Sequence, residues 1–232
     1  VNAKLVHGYG NNDLRRVKTD RKDAIKLANY GLDRWLTLPR YIPEENTRLL
    51  LKNCYRQYRQ YSKVQTVLKN NLISLLDMTF PNANRLFNSP ARADGSEKWV
   101  DFVAEFWHCE CVSERPLKSF VNKYWRWCRK HGYNFSEEKA HAIYDEASGH
   151  IGVMPKSETT KLLVEQAVSQ LSATSAALAV LKQEMQSLSS QLPEYPVVMG
   201  MFGVGPILGP QLIAEIGDVR RFYSKKALVA YA

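Results

Sequence analysis

Asp20 and Asp23 stand three residues apart in VKTDRKDAIKLA, residues 17–28, in one of the most basic parts of the chain. On a helix that spacing puts both carboxylates on one face. Two chemistries fit. Acids in a first helical turn cap free N–H groups and complement the helix dipole. Carboxylates are also the ligands Mg²⁺ prefers, and two-metal phosphoryl transfer needs several in a small volume. Arg15, Arg16, Lys18, Arg21 and Lys22 surround the pair, and they would attract a phosphate backbone that bare carboxylates repel.

Further along, Arg48, Lys52, Arg56, Arg59 and Lys63 step by three and four residues, as a row of cations on one helix face would. Gly203-Val204-Gly205-Pro206 is a tight turn between helical stretches. Its amides can face a phosphate at a helix N-terminus, as in a helix-hairpin-helix, or it can be an ordinary helix–helix turn. Arg220, Arg221, Lys225 and Lys226 just beyond it favour the phosphate reading. FWHCEC and WCRKH offer His108, Cys109, Cys111, Cys128 and His131. A single residue separates Cys109 from Cys111, short of the usual zinc spacing, so these read as buried thiols in a helical core. Trp99, Phe102, Phe106, Trp107, Phe120, Tyr124, Trp125 and Trp127 crowd the same region and also read as core rather than as a base-stacking platform.

The elements that must hold these residues follow from periodicity. A helix is expected from Thr19 or Asp20 to Tyr30, after a short strand over 3–6. A long helix over 44–76 carries an apolar stripe of Leu50, Cys54, Tyr58, Tyr61, Val64, Leu68, Leu72 and Leu75, opposite the cation row. The stretch after Phe80 is a loop by composition. Helices are expected over 99–107, 117–131 and 136–148, the last capped by Ser136. Val164, Leu171, Leu178, Met185 and Leu192 recur every seven residues along 157–192, the mark of a coiled-coil or helical-hairpin spacer. Ser175, Lys182 and Ser189 interrupt that seam. It needs another helix against it, from this chain or from a second copy, and self-association through 157–192 is the expectation.

Of the 232 residues, the first 70 hold 15 Lys/Arg against 6 Asp/Glu, and the remainder is balanced at 17 of each. The whole excess of +9 therefore lies in the N-terminal third, which points to a polyanion partner there. No stretch is apolar enough to span a membrane, and nothing reads as a signal peptide. Four cysteines do not make a disulfide framework, so a cytoplasmic setting is expected. The chain opens on Val1 and stops in mid-helix at KKALVAYA, as a fragment of a longer protein would.

VNAKLV…LRRVKTDRKDAIKLANYGL resembles the end of the catalytic domain of the DEDD transposases of bacterial insertion sequences, the insertion sequence 110 family, related to the Piv DNA invertase. MFGVGPILGPQLIAEIGDVRRFYSKKALVAYA resembles the start of that family's C-terminal domain. The resemblance implies a RuvC-like, RNase H-type α/β fold carrying Asp, Glu, Asp and Asp, with Asp20 and Asp23 as the last two. It implies Mg²⁺ as cofactor, DNA as substrate, and in some members a guide RNA. The first Asp, the Glu and a C-terminal serine would lie beyond the two ends of this chain, which alone would then be inactive.

The expected organisation is mostly α. Residues 1–38 are the tail of the RuvC-like domain and 39–156 a helical region. Residues 157–192 are the spacer, and 193–232 begin a helix-hairpin-helix-like domain. Two other readings fit the residues: a non-catalytic, basic helical nucleic-acid-binding protein, and a RuvC-like junction nuclease.

Overall fold

A computed structural model of the chain describes residues 3–9, 19–38 and 45–231. The chain divides into two units, Val1–Glu45 and Asn46–Ala232. The described residues are predominantly helical and contain no strand.

In the first unit, α1 spans Ala3–Gly8 and α2 spans Asp20–Asp33. The strand expected over 3–6 is therefore a helix. A lone four-residue strand leaves its backbone groups unpaired, and no described segment offers it a ladder, whereas a helix satisfies those groups internally. Thr19 caps α2, its hydroxyl accepting from the Lys22 N–H. The two helices meet through an edge-to-face contact of Tyr9 and Tyr30, ring centres 5.2 Å apart, and through a hydrogen bond from Tyr9 to Asp33. Lys26 donates to the His7 carbonyl at 2.7 Å. No residue of α2 is buried.

The second unit is built on an antiparallel pair of long helices, α3 (Asn46–Thr79) and α8 (Glu158–Ser190). At 1.5 Å per residue each runs about 50 Å. Between them in sequence come α4 (Lys98–Glu105), α5 (Glu110–Ser113), α6 (Leu117–His131) and α7 (Glu137–Ser148). These short helices close a core at one end of the pair, where Leu72, Leu76 and Phe80 meet Phe102, Phe106, Phe120, Tyr124 and Trp127, along with Val164 and Leu171. At the other end α9 (Tyr195–Met199) and α10 (Leu208–Ile216) cover a smaller core of Leu51, Met185, Leu188, Leu192, Ile213 and Ala214. A last helix, α11, spans Lys225–Tyr231.

The heptad seam of α8 is buried throughout, and α3 of the same chain is its main partner. The surface invoked for self-association through 157–192 is thus occupied within one chain. Two of the three polar residues that interrupt the seam have partners on α3. Gln65 donates to Ser175 at 2.8 Å, and the Lys182 ammonium lies 6.0 Å from the Tyr58 ring centre. Ser189 is buried and donates to the Gln186 carbonyl at 3.0 Å. Beside Ser175, Gly95 turns with φ +85°, and a Cβ there would overlap the Ser175 carbonyl. That glycine lets the loop lie directly on the α8 backbone.

Candidate nucleic-acid interface

Asp20 and Asp23 both occupy the exposed first turn of α2. Thr19 already caps the turn, so the carboxylates add charge complementarity to the positive helix end. Carboxylate oxygens suit a hard cation, but two are too few for a two-metal centre. Among the described residues no group of three or more His, Cys, Asp or Glu side chains comes together. Arg21 and Lys22 are exposed on the same helix, whereas Arg15, Arg16 and Lys18 lie outside the described residues.

Along α3 the apolar and cationic faces separate as the spacing requires, with two corrections. Leu50 is 55% exposed, and Leu51, at 1%, is the residue that enters the core. The stripe runs from there through Cys54, Tyr58, Gln65, Leu68, Leu72 and Leu76 against α8 and the short helices. Val64 at 44% exposure is outside it. Arg48 is the second correction. It is 7% exposed and forms a two-pronged ion pair with Glu194, its second nitrogen 3.0 Å from the carboxylate. It also points a donor at the Gly217 carbonyl, 3.5 Å away. Arg48 therefore joins the start of α3 to the segments around α9 and α10 and offers nothing to a nucleic acid. Arg56, Arg59 and Lys63 do lie exposed on the face turned away from α8, with Lys52 half-buried beside them. At 100° per residue these four fall within a wedge of roughly 60°. Arg59 lies 5.8 Å from the Tyr55 ring centre, a contact that steadies the guanidinium without neutralising it.

Gly203 and Gly205 sit in the turn between α9 and α10. Gly203 has φ +79°, and neither glycine has a neighbour where a Cβ would go, so the turn is open to an approaching group. α10 starts at Leu208, two residues after Pro206. Beyond it Arg220 is paired with Asp218 at 2.9 Å, and Arg221 lies over the Phe222 and Tyr231 rings.

A family model for DEDD transposases of the IS110 type, described as Transposase, matches residues 1–81. A second, described as Transposase IS116/IS110/IS902 family, matches residues 195–232. The chain belongs to the IS110 family of transposases. No curated protein and no solved structure matches it.

In this transposase chain Asp20, Asp23 and the α3 cations fall inside the first match, and Gly203 and Gly205 inside the second. The intervening thiols and aromatics, residues 99–131, are outside both. His108 is buried with Nε2 3.0 Å from the Met154 carbonyl, while Nδ1 accepts the Glu110 N–H at 3.2 Å. Both ring nitrogens are thereby engaged. Burial pushes the Cys111 and Cys128 thiols up, away from the thiolate that zinc requires. Seven of the eight aromatics singled out in the sequence are core, and Trp125 is 41% exposed.

Proposed function

We propose that this chain grips DNA through the outer face of α3, as part of the DNA transposition that its family carries out. One observation carries the reading: Arg56, Arg59 and Lys63 share the face of α3 turned away from α8. The opposite face is fully used in packing, so the cations are not a by-product of a poorly covered helix. Their charge is set where a phosphate backbone can lie along the helix. Gly203 and Gly205 would add a backbone contact in a helix-hairpin-helix-like manner, and in the first unit Arg21 and Lys22 would offer phosphate contacts of their own. A guide RNA presents the same phosphates and would use the same cations.

The catalytic part of the reading rests on Asp20 and Asp23. We assign residues 1–38 to the tail of a RuvC-like domain. Ile25 and Leu32, seven residues apart and both exposed, share one face of α2, an apolar surface of the kind a sheet covers. Asp20 and Asp23 would then be two of the four acids of a Mg²⁺ site. With no third ligand among the described residues, this chain alone is expected to bind Mg²⁺ weakly and to leave DNA uncut. Metal-dependent strand cleavage by the purified chain, abolished by Asp20→Ala, would overturn that.

Fluorescence anisotropy with a labelled duplex tests the grip. Affinity should fall steeply with salt. Arg56→Gln, Arg59→Gln and Lys63→Gln together should weaken binding and flatten the slope of log K against log salt by about 2 to 3. An unchanged slope in a folded variant would make the row a solvated face.

A further inference from the structure

Outside both family matches, three cations meet over two aromatic rings. The Arg92 guanidinium carbon lies 3.9 Å from the centre of the Tyr133 ring. The Lys98 ammonium lies 4.9 Å from the Phe87 ring centre and 5.0 Å from that of Tyr133. The Lys139 ammonium lies 5.6 Å from Phe87. These residues come from the loop after α3, the start of α4, the loop after α6 and the first turn of α7, so only the fold assembles them.

The cluster is held in place and left charged. Arg92 donates to the carbonyls of His131 at 2.7 Å and Gly132 at 3.1 Å, at the C-terminal end of α6. None of the three cations forms an ion pair with a described carboxylate. Two carboxylates lie nearby without pairing, although the Arg92 charge contributes to holding the Asp94 carboxyl down. Asp101 accepts the Tyr133 hydroxyl at 2.6 Å, and Asp94 accepts the Ser96 N–H at 2.9 Å. Ring faces steady a cation without neutralising it. Burial pushes the Lys98 pKa down, and repulsion from Lys139 and Arg92 adds to the effect. Lys98 and Lys139 are half-buried and Arg92 is exposed, and an anion joining the three would relieve their repulsion.

We propose that Arg92, Lys98 and Lys139 form a second phosphate site, which takes a phosphodiester group of the nucleic acid bound by the chain. The inference rests on the nucleic-acid reading above and extends it to a part of the chain that neither family match covers. A phosphodiester fits because its two free oxygens can be shared among donors of neighbouring cations. A stacked base does not, because the cations already occupy the ring faces. The site would hold a strand some distance from the α3 row and fix its direction.

The test uses the 232-residue chain, a labelled duplex and a labelled single strand, with anisotropy read across a salt series. Lys98→Gln with Lys139→Gln removes both charges, keeps a polar end on a shorter stem, and leaves the Arg92 carbonyl bonds intact. It should lower affinity and flatten the salt slope by about 2, roughly one unit per lysine. Lys98→Arg with Lys139→Arg keeps the charge and should bind like the parent chain. Unchanged affinity and slope in the glutamine variant, while the α3 triple variant loses binding, would overturn this site and leave the α3 reading standing. Equal loss in the arginine variant would also overturn it, because charge would not be what matters. A parent chain that binds neither probe would overturn both readings.

Discussion

Arg48 sits among the α3 cations in sequence but serves the fold. Its partner Glu194 lies 146 residues further on, so spacing alone places it in the row and cannot reveal the pair. The Arg48 guanidinium holds the Glu194 carboxyl below its ordinary value of 4.5, against the opposing effect of burial. A carboxyl with a lowered pKa stabilises the fold fully above its ordinary range and loses that contribution as pH falls through the folded value. Stability of the second unit should therefore drop on acidification below about pH 4.5, in a step that Arg48→Met abolishes. The substitution should itself cost about 2–3 kcal/mol at neutral pH, somewhat less than a fully buried pair, because Glu194 keeps some contact with water. Denaturant unfolding at pH 7 and pH 4 measures both effects. A variant as stable as the parent at pH 7 would show that the pair contributes nothing. Arg92, Lys98 and Lys139 are the opposite case, three residues with no common pattern in the sequence that the fold brings together.

At the scale of elements, periodicity identified helices well and partners poorly. The expected helix over 157–192 appears as α8, capped by Ser157, with every heptad position buried. A repeat shows that a face needs covering without saying what covers it, and α3 does so here. Along α3 the stripe was legible, but its N-terminal register was not: Leu50 and Leu51 are both apolar, and one residue turns the side chain by about 100°. The Gln65–Ser175 hydrogen bond is a polar register mark that hydrophobic spacing hides. α1 shows the limit of local propensity, where a strand-like run becomes helical for want of a ladder. Leu171→Asp with Leu178→Asp should consequently unfold the α3–α8 pair, seen as lost helical circular dichroism. A folded, monomeric variant of a dimeric parent in sedimentation would contradict this and restore the seam to a second copy. Gly95→Ala should lower stability by about 1–3 kcal/mol, since φ is positive there and the new methyl meets the Ser175 carbonyl. An unchanged melting temperature would mean the loop can lift off α8 without cost.

For the whole molecule, the charge asymmetry and the order of the two terminal blocks were the legible signals, and they led to the family. The helical core of residues 80–156 was visible as aromatic density, though not its second cluster of cations. No described helix is long and apolar enough to cross a membrane. What unites the molecule is the division of labour on α3, one face closing on α8 and the other presenting Arg56, Arg59 and Lys63. Lysine acetylation footprinting by mass spectrometry, with and without a saturating DNA duplex, tests that division directly. DNA should slow the modification of Lys63 several-fold and leave Lys161, which pairs with Glu165 on α8 at 3.7 Å, unchanged. Equal modification of Lys63 with and without bound DNA would contradict the account.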